Sequence, residues 1–160
     1  RLFYFFPMIV APVYIAVIWS NILAADGGLL NYYIQKIAEN NDINMIITGA
    51  TYNKIAEKEK FNLRLIGRIE NTDTNNGYVE LYDIIDAYPH RQKANKIMTL
   101  ELFEQGVKHY INGDIGNARN RFIDVLKIDK DDKIAQSYVF MCDKYRNGVP
   151  ESWAGFFEIL

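Results

Sequence analysis

The sequence predicts an α+β unit followed by an all-helical tail, and two observations support this fold class. First, Phe61, Leu63 and Leu65 alternate with polar residues, which predicts a strand whose apolar side chains face the core. A partner strand follows Asn76-Gly77, a dipeptide typical of turns between antiparallel strands. Second, the apolar spacing in the C-terminal part of the chain changes to the helical period of about 3.6 residues.

Composition and charge are those of an ordinary folded domain. The 160 residues are 49% hydrophobic and 24% charged, which excludes a wholly disordered chain. A formal net charge of −2 gives no reason to expect a nucleic-acid partner. A single cysteine, Cys142, excludes an internal disulfide and a Cys-pair zinc site and indicates a reducing, cytoplasmic location. With only His90 and His109, no metal cluster built on imidazole is expected.

Residues 2–25 form an uncharged apolar run that is long enough for a membrane-spanning helix. Two prolines, Pro7 and Pro12, would interrupt such a helix. Ser20 and Asn21 add polar positions within it. Because β-branched and aromatic residues dominate the second half of the run, we favour two buried strands joined by a tight connection. A membrane anchor, with a membrane-associated location, is the alternative.

Between this run and the hairpin, the spacing predicts two helices around one short strand. We expect a helix over residues 29–40, a short buried strand over 43–48 and a brief helix over 51–60, with Thr51 as its cap. The predicted order of the first unit is therefore strand, strand, helix, strand, helix, strand, strand, which is an α+β arrangement that ends in an antiparallel hairpin.

Three helices are predicted in the tail. Turns at 113–114 and 129–132 separate them, and Asp131 or Asp132 is the expected cap of the last helix. We divide the chain into an α+β unit at 1–88, a linker at 89–96 and a helical tail at 97–160.

Gly106, Ala118 and Phe122 lie at the offsets of one tetratricopeptide-like repeat, which the start of the tail resembles. A lone repeat cannot bury both of its faces. It must therefore pack on the third helix, on the first unit or on another chain.

Three segments of the first unit carry a resemblance. A strand ends at Thr48 before a Thr-Tyr helix, Leu-Ile-Gly-Arg follows at 65–68, and a closing strand lies at 78–85. In this order they resemble the C-terminal end of a bacterial class III adenylate/guanylate cyclase domain, and residues 15–28 resemble its glycine-rich hairpin. The resemblance implies a partial ferredoxin-like, cyclase-type sheet. It also implies a signalling reaction that converts ATP or GTP to a cyclic nucleotide and pyrophosphate.

The resemblance further implies where catalytic residues belong. The family holds Mg²⁺ or Mn²⁺ with two aspartates that precede the glycine-rich hairpin, in a segment expected upstream of Arg1. It then uses an asparagine and an arginine four residues apart on the next helix. Asn31 is the candidate for the asparagine, with a role at the helix start as its favoured alternative, and Gln35 stands in the place of the arginine. The chain is therefore expected to be a truncated or degenerate catalytic domain, without metal ligands or a cofactor of its own.

The end of the tail carries a second resemblance. Residues 150–155 have the pattern Pro-Glu-x-Trp-x-Gly, which resembles an extension found after some bacterial cyclase domains. Trp153, Phe156 and Phe157 are expected to fold back on the helices, with a partner-docking patch as the alternative.

Three isolated residues are given structural roles. Cys142 is expected to be a buried small side chain, His109 a packing residue and Arg68 a structural surface charge.

Two functions of different classes follow from the sequence. The first is the C-terminal portion of a class III nucleotidyl cyclase that pairs as a homodimer or with a complete cyclase domain, because family members share their site between two chains. The second is a non-enzymatic interaction module whose helical tail captures a protein partner.

Overall fold

The computed structural model describes residues 29–158, which form an α+β fold of five helices and a three-stranded sheet. In chain order the elements are α1 (Leu29–Asn40), β1 (Ile46–Thr48), α2 (Gly49–Lys54), β2 (Leu63–Glu70), β3 (Tyr78–Ile84), α3 (His90–Ile111), α4 (Ile115–Ile128) and α5 (Lys133–Lys144). The predicted N-terminal hairpin and its alternative, the membrane anchor, lie outside the described residues. Within residues 29–158, no helix has the length and apolar character needed to cross a membrane.

The sheet is antiparallel, with β3 at its centre and β1 and β2 on either side. The predicted hairpin of β2 and β3 is confirmed. Its loop covers residues 71–77 rather than a two-residue turn, and Gly77 ends it with a φ of 73°. The Asn71 amide donates to the Gly77 carbonyl oxygen at 2.9 Å and closes the loop. Gly77 is the residue type that adopts this left-handed conformation most readily.

The side of β2 that faces the core differs from the prediction. Leu63 and Leu65 are partly exposed, whereas Arg64 and Ile66 are fully buried. Leu65 pairs with Tyr82 but Gly67 pairs with Leu81, so Ile66 is an extra residue that forms a β-bulge. The apolar alternation in the sequence therefore predicted the wrong face of β2 as buried. A charged residue, Arg64, lies on the inner face, and the bulge at Ile66 shifts the alternation after it.

Helix α2 is shorter than predicted, and another threonine caps it. The helix ends at Lys54, and residues 58–60 form a separate 3₁₀ turn. Thr48 is its N-cap, and the Thr48 hydroxyl accepts a hydrogen bond from the Thr51 amide at 3.5 Å. Thr48 has the extended backbone of an N-cap because it is also the last residue of β1, and Thr51 already lies inside the helix.

The three predicted tail helices are present, and aspartates cap two of them. Asp114 caps α4 by accepting from the Asn117 amide, and Asp132 caps α5 by accepting from the Ala135 amide at 3.2 Å. The prediction that Asp131 or Asp132 caps the last helix is therefore confirmed for Asp132. Helix α3 begins at His90, so most of the segment predicted as a linker lies in its first turns.

One hydrophobic core includes residues from both halves of the described chain. On the sheet side it contains Ile66 and Leu81, and on the helical side Phe103, Phe122 and Tyr138. The Phe122 and Tyr138 rings stack with centroids 4.3 Å apart. Helices α3 and α4 therefore pack on both the third helix and the sheet, two of the three partners that the sequence left open.

Candidate functional site

A cleft of about 880 Å³ lies where α1, the hairpin loop and the C-terminal segment meet. Its walls are formed by the beginning of α1, by residues 69–73 and by residues 150–158. Asn31, the candidate catalytic residue, lies on the α1 wall. If Asn31 has a catalytic role, its substrate would therefore bind in this cleft.

Asn31 and Gln35 lie one turn apart on α1 and so share a face of that helix. Asn31 is partly buried in the first turn, whereas Gln35 is exposed and is not part of the cleft wall. Gln35 Nε2 donates to Glu39 Oε1 at 2.7 Å. This hydrogen bond, together with Lys36, lowers the pKa of Glu39. Gln35 is therefore directed along the helix towards Glu39, and as a neutral amide it supplies no charge.

The described part of the cleft wall is acidic and carries no Lys or Arg. Its carboxylates are Glu70, Asp73 and Glu158. Although burial opposes it, hydrogen bonds from Lys144 and Tyr145 lower the pKa of Glu158, so this carboxylate is already engaged. Among residues 29–158, no group of three His, Cys, Asp or Glu side chains is arranged to hold a metal ion. These residues do not fit the Mg²⁺ or Mn²⁺ ions that the resemblance implies.

A buried cluster of charged residues joins the sheet to the tail. Arg64 on β2 donates through Nη2 to Asp83 Oδ2 at 3.0 Å and through Nη1 to Asp132 Oδ2 at 2.5 Å. Lys96 on α3 approaches Asp132 Oδ2 at 3.5 Å, and the Tyr88 hydroxyl donates to Asp83 Oδ2 at 3.2 Å. Two positive and two negative side chains therefore balance one another in the interior, as a buried charge requires.

The two carboxylates of this cluster respond differently to their surroundings. Burial raises the pKa of Asp83 and outweighs the nearby charges of Arg64 and Lys96. Burial also acts on Asp132, but there the same two cations prevail and the pKa is lowered. Burial lowers the pKa of Lys96, with Arg64 acting in the same direction. Arg64 and Lys96 therefore favour the ionised form of Asp132 more strongly than that of Asp83.

The contacts of the charged cluster indicate a structural role, in which it holds the sheet and the tail helices together. Arg64 also lies over the Phe103 ring, with 4.1 Å between its guanidinium carbon and the ring centroid. Arg64 Nε and Asp83 Oδ1 have no hydrogen-bond partner, yet both side chains are fully buried. No sequence pattern predicted this cluster. Its one signal in the sequence is an arginine between the apolar residues of a predicted strand.

The aromatic end of the tail folds back on the helices, as predicted. Trp153 Nε1 donates to the Tyr110 carbonyl oxygen at 3.0 Å, and Phe157 is 5% exposed. Phe156 is partly buried beside β2. Arg68 was predicted to be a surface charge, but its side chain is partly buried. Its Nε donates to the Ala154 carbonyl oxygen at 2.8 Å.

The remaining two candidate residues have structural surroundings. Cys142 is buried and free, and burial raises the pKa of its thiol to about 12, so the thiol stays protonated at neutral pH. His109 Nδ1 lies 2.9 Å from Asp114 Oδ2, next to the N-cap of α4. Neither residue lies on the cleft wall.

Comparison with family models, with curated proteins and with solved structures finds no match for this chain. The two resemblances therefore depend on the residues that carry them and on the elements in which those residues lie.

Proposed function

We propose that this chain is the C-terminal part of a class III nucleotidyl cyclase-like protein that is catalytically incomplete alone and pairs with a second cyclase domain. The observation that carries the proposal is the order of the elements. A strand ends at Thr48 and passes into the helix that contains Thr51 and Tyr52, and a hairpin then brings residues 65–68 against β3. The residues on which the resemblance depends therefore lie in the types of element that it implies.

The residues around the cleft explain why the chain is expected to need a partner. Cyclisation places charge on the transferred phosphate, and metal ions and cationic side chains are the usual means of stabilising it. The described cleft wall offers the Asn31 amide but no cation, and Gln35 replaces the arginine. Metal ligands and a cationic group must then come from elsewhere in a longer protein or from the paired domain.

The experiment that tests this proposal is a mixing assay. Residues 1–160 are incubated with ATP or GTP and with Mg²⁺ or Mn²⁺, alone and together with a complete class III cyclase domain, and cyclic nucleotide is measured. We expect no product from the chain alone. Product formed by the complete domain should rise with added chain and saturate when the two are equimolar. Unchanged product, with no co-elution on gel filtration, contradicts the proposal.

A substitution in the chain gives the assay a matched control. Gln35→Arg restores the charge that the resemblance implies at this position, one turn after Asn31. Because one well-placed donor to a developing charge is worth on the order of a hundredfold in rate, we expect at least about a tenfold increase in product from the mixture. Lys36→Arg puts the same guanidinium one position further round the helix and should leave the product unchanged. An equal effect of both substitutions argues against a role for this face of α1.

The second candidate function, capture of a protein by the tail, has a narrower basis. The apolar residues that a repeat-like groove would offer, such as Phe103 and Tyr138, are fully buried in the shared core. Among the described residues of the tail, Met98 and Phe140 are the most exposed large apolar side chains, with exposed fractions of 68% and 61%. Met98→Ser and Phe140→Ser should each weaken retention of a partner protein in a pull-down if this function is the correct one.

A further inference from the structure

The outer edge of β2 is closed by side chains and backbone from the tail. Strand β2 pairs with β3 on one side only. An edge strand of this kind exposes backbone groups on its other side, and a strand of another chain can pair with them. Here the Leu65 amide donates to Glu104 Oε1 at 3.4 Å, and the Ile66 carbonyl oxygen accepts from the Tyr138 hydroxyl at 2.7 Å. Helices α3 and α5 therefore each provide a hydrogen-bond partner for one backbone group in the first half of this edge.

Residues 153–158, which we call the edge strap, close the second half. The strap runs parallel to β2, and Phe156 forms a bridge with Arg68. The Phe157 amide donates to the Arg68 carbonyl oxygen at 2.8 Å, and Arg68 Nε donates to the Ala154 carbonyl oxygen at the same distance. The strap thus occupies the position at which an added strand would pair.

Contacts on its other side hold the edge strap against the helices. The Trp153 ring packs edge-on against Tyr110 and Tyr145, with centroids 5.0 and 4.9 Å away. At Gly155, where φ is 64°, a Cβ would lie 2.5 Å from the Ile111 Cα, so only glycine lets the strap approach α3 this closely. The strap is therefore fixed beside β2 from both sides.

We propose that the edge strap is an intramolecular seal, and that without it the second halves of the β2 edges of two copies of this chain, residues 68–70, pair with each other. Two identical edges related by a two-fold axis offer each other the same donors and acceptors in antiparallel order. The groups released by loss of the strap include the Arg68 carbonyl oxygen, two residues after the bulge at Ile66. This inference is independent of the proposed cyclase-like function, because it concerns only the side of β2 that does not pair with β3.

Two substitutions of Phe157 separate the effect of its amide hydrogen bond to Arg68 from the effect of packing its ring. Phe157→Ala removes the buried ring and keeps the amide donor, whereas Phe157→Pro removes both. Each is combined with Glu70→Cys, which puts an exposed thiol near the end of β2, and dimers are trapped with a flexible bis-maleimide. Because a hydrogen bond is worth about 1 kcal/mol net, we expect roughly fivefold more cross-linked dimer with Phe157→Pro than with Phe157→Ala. Asn120→Cys, on α4, should give no such increase.

A truncated chain, residues 1–149, provides the larger perturbation. If it folds, judged by circular dichroism, we expect it to cross-link through Glu70→Cys more than either point variant does. If it does not fold, the two Phe157 variants decide the question, because each changes a single residue of the strap. Equal cross-linking of Phe157→Pro, Phe157→Ala and the unsubstituted chain overturns the proposal.

Discussion

Arg64 and Arg68 lie four residues apart on β2, yet they join the tail to the sheet in different ways. Arg64 is fully buried and donates to the carboxylates of Asp83 and Asp132. Arg68 is partly exposed and donates to the backbone of the edge strap, with its guanidinium 4.8 Å from the centre of the Tyr78 ring. One contact is a fully buried ion pair, and the other is a hydrogen bond near the surface.

The difference arises from the bulge between the two arginines. In a regular strand, residues four apart point to the same face of the sheet. Arg64 lies opposite Asp83 on β3, but Arg68 lies opposite Glu80, so the extra residue, Ile66, has moved Arg68 to the other face. One inserted residue thus allows a single strand to hold the tail from both of its faces.

The largest effect is expected from breaking the buried contact. Asp132→Ala leaves the Arg64 charge without one of its two partners and removes the cap of α5, so we expect a loss of about 3–5 kcal/mol in the free energy of unfolding. Urea titration followed by circular dichroism measures it. Asp131→Ala, the same change at an exposed neighbour, should cost less than about 0.5 kcal/mol. Equal losses would show that Arg64 does not depend on Asp132.

A smaller loss is expected when the bulge itself is disturbed. Gly67 has a φ of 150°, and a Cβ there would overlap the Tyr138 hydroxyl, which donates to Ile66. We expect Gly67→Ala to cost about 2 kcal/mol in unfolding free energy. Gly116→Ala, in α4 with open space around it, should instead leave the free energy unchanged or raise it by up to about 1 kcal/mol. A neutral Gly67→Ala would contradict the requirement for glycine at the bulge.

The surface arginine should matter less than the buried one. Arg68→Met removes the hydrogen bond to the Ala154 carbonyl oxygen, and we expect it to lower the free energy of unfolding by about 1 kcal/mol. Arg64→Met leaves two carboxylates buried and should cost several times more. Arg121→Met, at a surface ion pair 4.0 Å long, is the matched control and should be nearly neutral. The comparison fails if Arg68→Met costs as much as Arg64→Met.

The smallest effect is a dependence on pH. Because the folded-state pKa of Asp132 lies below the unfolded value of about 4, its ionised form stabilises the fold above that pH. This contribution is lost as the pH falls through the folded-state pKa. The contribution of Asp83 to the pH dependence of stability has the opposite sign. Because burial raises its folded-state pKa, Asp83 stabilises the fold in acid, and this stabilisation is lost as the pH rises through that pKa.

The stability gap between the natural chain and Asp132→Asn should therefore narrow below about pH 4. Urea titrations between about pH 3 and 7 measure that gap. Asp131→Asn should show no such narrowing, because Asp131 is exposed. A gap that stays constant with pH would mean that the charge of Asp132 contributes nothing.

Local signals in the sequence predicted most of the elements of this fold, although not all of their ends. The periodicity of the tail predicted its three helices, and Asp132 was foreseen as a cap because its side chain and the amides it serves are neighbours in the chain. The Asn-Gly pair predicted the hairpin for the same reason. Asn31 was also located correctly in the first turn of a helix, although its candidate role stays a prediction.

The contacts that join these elements were not foreseen, because each depends on residues far apart in the chain. Arg64 and Asp132 are 68 positions apart, and Arg68 and Ala154 are 86. Whether an arginine in a strand is buried depends on the presence of a carboxylate opposite it, which only the packing of α5 on the sheet supplies.

The sequence by itself therefore determined the α+β class, the hairpin and the three tail helices, since hydrogen bonds and apolar periodicity within short segments specify them. The tertiary structure decided which face of β2 is buried, where the bulge lies and how residues 153–158 close the sheet edge. These features depend on charge balance and close packing between segments that the chain brings together only when it folds.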